Sequence, residues 1–222
     1  MRTIIPFNND WLYIAREADA SVPDSQFERV TLPHTNIILP YHNFDNLDYQ
    51  FISIYRKRFK LPEARGGRRV YIDFDGAMIA TEVFLNGQRV GENEGGYNPF
   101  SFDITDHLNE SGDNLLIVKL DSTERPDIPP YGKVVDYLTF GGIYRDVKLR
   151  YVEPVHIVDV FLTSKWQLES LGQQLSCFIQ VNYFTGDNIF LEAELHDLSG
   201  AIIATTQRRQ VMIASDAPIP LS

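Results

Sequence analysis

The sequence contains a single cysteine, Cys177, among its 222 residues. One cysteine cannot form an internal disulfide, so nothing in the chain requires an oxidising compartment. Its context, LSCFIQV, alternates like a strand and predicts a small buried apolar side chain. The first residues also lack the apolar core of a signal peptide, and no apolar run is long enough to cross a bilayer. We therefore expect a cytoplasmic protein with no membrane partner.

Positive charge is scarce. Lysine and arginine total 20 residues against 30 aspartates and glutamates, which gives a formal net charge of −10. Binding to nucleic acid requires a basic face on the protein, and so does binding to an anionic membrane surface. Both partners are therefore disfavoured. A neutral or cationic ligand fits this charge better, and sugars are neutral.

Signals for metals and cofactors are also missing. The five histidines show no paired ligand spacing, and the sequence has neither a CxxC pair nor a glycine-rich phosphate loop. We therefore expect no metal or cofactor held by this chain alone.

What the sequence does contain is period-two alternation. RRVYIDFDG (68–76) places Val70, Ile72 and Phe74 on one face, and TEVFLNGQRVG (81–91) predicts a hairpin that turns at Asn86-Gly87. Similar alternation predicts strands in three other segments, FISIYRKRF (51–59), NLLIVKLD (114–121) and GIYRDVKLRYV (142–152). Helical turns are expected only around DHLNE (106–110) and in the N-terminal WLYIAREADA. The pattern predicts an all-β protein of sandwich or jelly-roll type.

A domain boundary is predicted near Glu153-Pro154, which gives domains at 1–153 and 154–222. The second range has only four to five segments that look like strands. This set is too short for a complete immunoglobulin-like sandwich, so the second domain is expected to be incomplete.

A long irregular segment, DSTERPDIPPYGKVVDYLTF, occupies residues 121–140. Loops longer than about 12–15 residues are uncommon in compact domains and are often functional. Prolines 126, 129 and 130 stiffen this one, and the lone Asp136 lies near its end. The Asp136 side chain has two interpretations: a solvated carboxylate that caps local backbone, or a ligand-binding group.

The loop leads into FGGIYRDVKL (140–149). Gly141-Gly142 would allow a turn or a close backbone approach that a side chain would block. Arg145 is either a buried guanidinium paired with a carboxylate or an edge charge, and the first alternative is favoured. The earlier GGYNPFSFDIT predicts a turn into an aromatic core strand, with Asp103 or Thr105 anchoring the next turn.

Four stretches together resemble the N-terminal sugar-binding domain of glycoside hydrolase family 2, the family of β-galactosidases and β-glucuronidases. They are VTLPHTN (30–36), YIDFDGAMIATEVFLNGQRVGENEGGYNPFSFDIT (71–105), NLLIVKL (114–120) and DYLTFGGIYRDVKL (136–149). The resemblance implies a galactose-binding-like jelly-roll sandwich, followed by a partial immunoglobulin-like β-sandwich. It also implies a catalytic (β/α)₈ barrel beyond the second domain, which this sequence does not contain.

The resemblance assigns Asp136 a role, because family members carry an aspartate here that reaches the sugar site. Carboxylates accept hydrogen bonds from hydroxyl groups, and Tyr131 and Tyr137 could lie along a sugar's apolar face. The loop YHNFDNLDY (41–49) occupies the place from which family members send an asparagine to the sugar, which makes Asn43, Asn46 and Asp48 candidates. Each of the three could instead be ordinary turn chemistry. The resemblance further implies a cation beside Asp136 in the parent protein, with its other ligands in the barrel.

No catalytic pair is expected in this chain. Retaining glycosidases need two carboxyl groups about 5–5.5 Å apart, and the family's acid/base glutamate follows an asparagine. The dipeptides Asn93-Glu94 and Asn109-Glu110 match that order, but both lie beside turn glycines in an all-β pattern, where solvated turns are the better interpretation.

The leading hypothesis is a non-catalytic N-terminal module of a retaining, β-galactosidase-like glycoside hydrolase. Its expected partners are a β-galactoside or related sugar and a catalytic barrel domain. The alternative is a free-standing carbohydrate-binding module, since jelly-roll sandwiches also serve as lectin-like domains. A third hypothesis is an interaction domain that assembles oligomers, which keeps a homo-oligomer among the expected states.

Overall fold

The computed structural model of the chain describes residues 2–43, 45, 47–132, 137–167, 172–182, 189–206, 209–211 and 219–221. The chain divides into two compact units, Met1–Val152 and Glu153–Ser222. Apart from two 3₁₀ turns, the regular structure of the described residues is all β strand, which confirms the predicted fold class.

The described residues of the first unit form ten strands and two 3₁₀ turns. The strands are β1 (Thr3–Pro6), β2 (Trp11–Ile14), β3 (Glu28–Val30), β4 (Ile52–Phe59), β5 (Arg69–Phe74), β6 (Ala80–Leu85), β7 (Gln88–Glu94), β8 (Phe100–Asp103), β9 (Asn114–Asp121) and β10 (Val147–Val152). The 3₁₀ turns are Asp24–Gln26 and Thr105–His107.

These strands form two antiparallel sheets that face each other as a jelly-roll sandwich. One sheet has the order β1-β10-β5-β8 and the other the order β3-β2-β4-β9-β6-β7. The core lies between them, because strands of both sheets bury alternate side chains, as β5, β6 and β9 do. Its fully buried members include Trp11, Tyr55, Val70, Ile72, Phe74, Val83, Leu116, Val118 and Leu149.

The alternation predicted for β5 and the predicted hairpin are confirmed. Val70, Ile72 and Phe74 of β5 are all completely buried. Strands β6 and β7 pair with Leu85 opposite Gln88. The two residues between them, Asn86 and Gly87, have φ values of 52° and 81°, as a tight hairpin turn requires.

Three local predictions need correction. The segment WLYIAREADA begins as strand β2 rather than as a helical turn, because Trp11 and Tyr13 fill the core. The strand predicted at 142–152 begins only at Val147, because the Gly142 backbone is bonded to Met78 instead of to a sheet neighbour. The helical turn predicted at 106–110 lies one residue earlier, at Thr105–His107.

In the parts of the second unit that the structure describes there are seven strands: β11 (His156–Gln167), β12 (Gly172–Asn182), β13 (Ile189–Leu191), β14 (Glu194–His196), β15 (Ile202–Thr205), β16 (Arg209–Val211) and β17 (Ile219–Leu221). β11 and β12 pair antiparallel over almost their whole length. β11 exposes apolar side chains on both faces, including Val160, Phe161 and Leu162. Its identification as an incomplete immunoglobulin-like domain stays a prediction.

A search of the described residues for membrane spans finds no helix long and apolar enough to cross a bilayer.

Candidate functional site

The long connection predicted before the last strand of the first unit runs from Ser122 to Asp146, between β9 and β10. Its beginning is fixed by Ser122, whose backbone N–H donates to the Phe51 carbonyl (3.1 Å) and whose hydroxyl donates to the Met78 carbonyl (2.9 Å). Further along, Ile128 is buried against Met78 and Ile79, in a small apolar cluster separate from the main core. The first part of this loop is therefore anchored to the sandwich by polar and apolar contacts.

The end of the loop is held by Gly141 and Gly142. The Gly141 carbonyl accepts from the Asn36 backbone N–H (3.0 Å), and the Ile143 carbonyl accepts from the His34 N–H (2.9 Å). A Cβ on Gly141 would lie 2.4 Å from the side-chain nitrogen Nδ2 of Asn36, and a Cβ on Gly142 would lie 2.4 Å from the His34 carbonyl oxygen. The predicted role of the two glycines in a close backbone approach is confirmed.

Beneath this crossing lies a cluster of polar aromatic side chains. His34 Nδ1 and the Tyr55 hydroxyl are 2.9 Å apart, and the Tyr13 ring packs against both of their rings. The Tyr13 hydroxyl donates to the Asn36 carbonyl, and the Asn36 amide donates to the Tyr49 carbonyl (2.7 Å). These bonds tie the 34–36 segment to both β2 and β4, and so they set the position of the loop end that rests on it.

Burial shifts the titration of this cluster toward its neutral forms. Burial, together with the nearby Glu28 charge, raises the pKa of Tyr13 to about 12, and burial also raises the pKa of Tyr55. Burial lowers the pKa of His34 below its ordinary value, although Glu28 opposes this. The cluster therefore supports the loop as an uncharged hydrogen-bonded network near neutral pH.

Arg145 does not have the predicted carboxylate partner among the described residues. Its guanidinium is exposed and lies over the Tyr144 ring, and its Nη1 donates to the carbonyls of Asp75 (3.2 Å) and Tyr97 (3.0 Å). The favoured prediction of a buried ion pair is wrong, because the chain around Arg145 has not yet entered the sheet. Arg145 instead fixes the backbone of the turn that carries Tyr97.

The GGYNPFSFDIT segment forms the predicted turn and strand. Thr105 anchors the next turn, because its hydroxyl donates to Asp103 Oδ1 (2.6 Å) and accepts from the Val70 N–H (2.9 Å). Arg69 Nε pairs with the other Asp103 oxygen at 2.6 Å. Burial opposes ionisation of Asp103, but the bonds from Arg69 and Thr105 hold its pKa below the ordinary value.

Several aromatic side chains in and near the loop are exposed to solvent. Tyr97 and Tyr137 are 39% and 54% exposed, and their hydroxyl oxygens lie 3.4 Å apart. Tyr41, Tyr131 and Phe140 are exposed as well. Burial, and then the bond with Tyr137, raise the pKa of Tyr97. Beside Tyr97 a pocket of about 410 Å³ opens between the 94–98 turn and residues 127–129.

The predicted sugar-contacting residues are only partly visible. Asp136 and Asn46 lie outside the described residues. Asn43 is exposed with a φ of 60°, and Asp48 is exposed and accepts from the Asp45 N–H through Oδ2 (2.9 Å). Asp48 thus makes the turn contact considered as its alternative role, and sugar contact by all four residues stays a prediction.

In the described part of the chain, the glutamates of both Asn-Glu dipeptides form surface salt bridges with arginines. Glu94 ends β7, where its carboxylate lies 3.1 Å from Arg125, and Glu110 pairs with Arg65 at 2.5 Å. Both glutamates are exposed. Within the part of the chain that the structure describes, no three His, Cys, Asp or Glu residues come together as a metal site.

Sequence reasoning missed two residues that shape this region. Ile128 anchors the loop, and the only signal for it was an isolated apolar residue between prolines. Tyr97 lines the pocket. The sequence signal for it was an aromatic residue directly after Gly95-Gly96, a position in a turn where a ring can be exposed.

Comparisons with known proteins agree with this architecture. The family model "Glycosyl hydrolases family 2, sugar binding domain" matches residues 5–154. A β-galactosidase of Thermoanaerobacter pseudethanolicus is 46% identical over 165 residues, which cover 72% of this chain and 22% of that protein. A β-galactosidase of Thermoanaerobacterium thermosulfurigenes is 45% identical, covering 72% of this chain and 23% of that protein.

Solved structures of related proteins match this fold. A calcium binding mutant of Bacteroides uniformis β-glucuronidase 2 superimposes with a TM-score of 0.83 and 26% identity, over 100% of this chain and 27% of that one. The chain thus spans only about a quarter of the length of the proteins it resembles.

Proposed function

Since the chain belongs to glycosyl hydrolase family 2 and carries the family's sugar-binding domain at residues 5–154, we propose that it is the non-catalytic N-terminal module of a retaining, β-galactosidase-like glycosidase. The family match over the first unit is the observation that carries this proposal. Two relatives more than 40% identical are named β-galactosidases, which favours a β-galactoside as the substrate of the intact protein. Relatives named β-glucuronidases are less similar, at 28% identity for one of them.

The module's role is to complete the sugar pocket of a catalytic barrel supplied by the rest of the protein. The loop between β9 and β10 would deliver Asp136, and the 41–49 loop would deliver Asn43, Asn46 or Asp48. Support comes from the way the first loop is fixed at Ser122, Ile128 and Gly141-Gly142. A loop anchored at both ends can present a side chain to a ligand with little loss of conformational entropy on binding.

Three further features belong to the same proposal. A cation would lie beside Asp136, with its other ligands in the barrel, because carboxylate oxygens suit hard cations. The cytoplasmic location is supported by the single cysteine, and a homo-oligomer is supported by the apolar side chains exposed along β11.

A free-standing carbohydrate-binding module is the less favoured function. The chain spans 22–23% of the two galactosidase relatives named above. That proportion supports a module working inside a larger enzyme.

The test is Asp136→Asn in the full-length protein. A carboxylate that accepts hydrogen bonds from sugar hydroxyls contributes about 1.5–3 kcal/mol, and about 1.4 kcal/mol corresponds to tenfold in rate. We expect kcat/KM on an aryl β-galactoside to fall at least about tenfold, while the thermal midpoint stays within the range of an ordinary surface change.

The matched control is Asp113→Asn, which changes an exposed aspartate that lies 3.9 Å from Lys60 and outside the loop. It should leave both kcat/KM and the midpoint unchanged. A large fall in midpoint for Asp136→Asn with nearly normal kinetics would show a structural cap and not a sugar contact.

A further inference from the structure

We propose that the pocket beside Tyr97 is a second sugar site, which binds a neutral pyranose ring within this domain alone. We call it the tyrosine pocket; it is lined by the 94–98 turn and by Asp127, Ile128 and Pro129. The proposal rests on the proposed function, because a glycoside of more than one ring supplies the ligand. It is argued independently of Asp136, from the described lining residues of the 94–98 turn and of 127–129.

The pocket has the size and rigidity of a small-molecule site. Its volume of about 410 Å³ lies within the range of about 300–1,000 Å³ that is usual for such sites. On one wall, Ile79 accepts from the Gly95 N–H (2.9 Å), Gly96 accepts from the Tyr144 hydroxyl (2.5 Å), and Arg145 holds the Tyr97 carbonyl.

The opposite wall is anchored by the burial of Ile128. Its side chain is 4% exposed, and its backbone N–H donates to the Arg125 carbonyl (3.2 Å). Both walls are thus fixed to the sandwich in the absence of any ligand. When a ligand enters a preformed pocket, ordering the pocket residues costs little free energy.

The lining offers the two kinds of contact that a sugar ring requires. The partly exposed ring of Tyr97 provides an apolar surface for the C–H face of a pyranose, and its hydroxyl provides a polar edge. The exposed amide of Asn98 and the carboxylates of Glu94 and Asp127 provide donors and acceptors for hydroxyl groups. Hydrogen bonds to a carboxylate are the stronger kind.

The charge of the lining favours a neutral sugar over a uronic acid. Among the described residues, those that line the pocket include two carboxylates and no cation. Arg125 lies 3.1 Å from Glu94 and 2.6 Å from Asp127, so its charge is already shared between them. The guanidinium of the nearby Arg145 donates to the backbone carbonyls of Asp75 and Tyr97. Arg125 offsets one of the two carboxylate charges, and a uronate would add a negative charge beside the remaining one.

The test is an NMR titration of the isotope-labelled 222-residue chain with methyl β-galactoside. We expect saturable amide shifts in the 94–98 turn and around Asp127 and Ile128, with a dissociation constant on the order of millimolar. Methyl β-glucuronide should bind at least several-fold more weakly. Salt should reduce that difference, since the repulsion acts at an exposed surface.

Substitutions locate the site. Tyr97→Ala should weaken galactoside binding at least about tenfold, whereas Tyr97→Phe keeps the ring and should retain most of the affinity. Asn98→Ala, at an exposed side chain, should weaken binding without affecting the fold. Tyr41→Ala removes an exposed tyrosine that does not line the pocket and should leave binding unchanged.

Three outcomes would overturn the proposal: galactoside shifts absent from the pocket, full affinity in Tyr97→Ala, or equal affinity for the glucuronide. Failure of this proposal can be distinguished from failure of the proposed function. Asp136→Asn should not alter binding by the isolated chain, and the role of Asp136 is judged only from kcat/KM of the full-length protein.

Discussion

Gly142 and His34 are in direct backbone contact: a Cβ on Gly142 would lie 2.4 Å from the His34 carbonyl oxygen. The same Cβ would lie 2.8 Å from the Asn36 backbone nitrogen, and the φ of Gly142 is +115°. Two separate requirements therefore exclude a side chain here, one from neighbouring backbone and one from the conformation of the residue itself.

Gly142→Ala is accordingly expected to lower the free energy of unfolding by at least about 2 kcal/mol, since strain at φ and overpacking each cost about 1–3 kcal/mol. Gly66→Ala is the matched control, because Gly66 has a φ of +60° but a Cβ there would meet no atom within 4 Å. Urea unfolding followed by the fluorescence of the buried Trp11, in a Trp166→Phe background, measures both. Equal losses would mean that the contact with His34 contributes nothing.

Arg56 and Arg58 share the carboxylate of Asp24 but differ in burial. Arg56 is completely buried and also donates to the carbonyls of Val22 (2.8 Å) and Asp19 (2.7 Å), whereas the Arg58 side chain is 55% exposed. Arg56→Gln should cost about 2 kcal/mol or more, because it leaves the carbonyls of Val22 and Asp19 without their buried donor and removes one partner of the partly exposed Asp24.

Arg58→Gln should cost less than about 1 kcal/mol, as exposed ion pairs usually do. The same urea experiment compares the two variants. A similar loss for both would contradict the assignment of Arg56 as the group that clamps the 19–24 segment onto β4.

The partly buried His34 predicts a pH dependence with a definite sign. Burial lowers its pKa in the folded protein below the ordinary value of 6.5, so the unfolded chain takes up the proton more readily. Stability is therefore complete above pH 6.5 and falls as the pH drops from 6.5 toward the folded-state pKa. Thermal midpoints of wild type and His34→Gln between pH 8 and pH 5 test this. The variant should show the flatter decline, whatever its midpoint at pH 8, and parallel curves would rule out His34 as the cause.

The chain alone should hydrolyse no aryl β-galactoside above background. Glycoside hydrolysis needs two carboxyl groups placed on either side of the scissile bond. Glu94 and Glu110 are instead exposed and paired with arginines. A standard chromogenic assay on the purified chain is sufficient. Turnover that survives purification and disappears on substitution of an acidic residue in this chain would contradict the prediction.

The sequence predicted those features of the fold that local pattern controls. Alternation identified the buried face of β5, and Asn86-Gly87 identified the hairpin, because pleat and turn conformation depend on neighbouring residues. The failures depended on distant contacts. Segment β2 is a strand because Trp11 and Tyr13 fill the core, and the neighbouring sequence does not predict that burial.

The candidate site shows the same division. The length of the loop before β10 and the paired glycines indicated a special segment, and the glycines do make the expected close approach. The partners of Arg145 were not predictable, since Asp75 and Tyr97 are remote in sequence and offer carbonyl oxygens rather than charges. The tyrosine pocket likewise exists only because the 94–98 and 127–129 segments meet in the folded chain.

The pairing of β1 with β10, in which Thr3 lies opposite Tyr151, brings the two extremities of the first unit side by side. A polypeptide that enters this sandwich therefore leaves it at the same edge, one strand away. Such an arrangement lets the unit be spliced into a longer protein, or circularly permuted across Thr3 and Tyr151, without rethreading its core. The sandwich is in this sense an exchangeable part, whose evolution can proceed by transfer of the whole piece as well as by substitution within it.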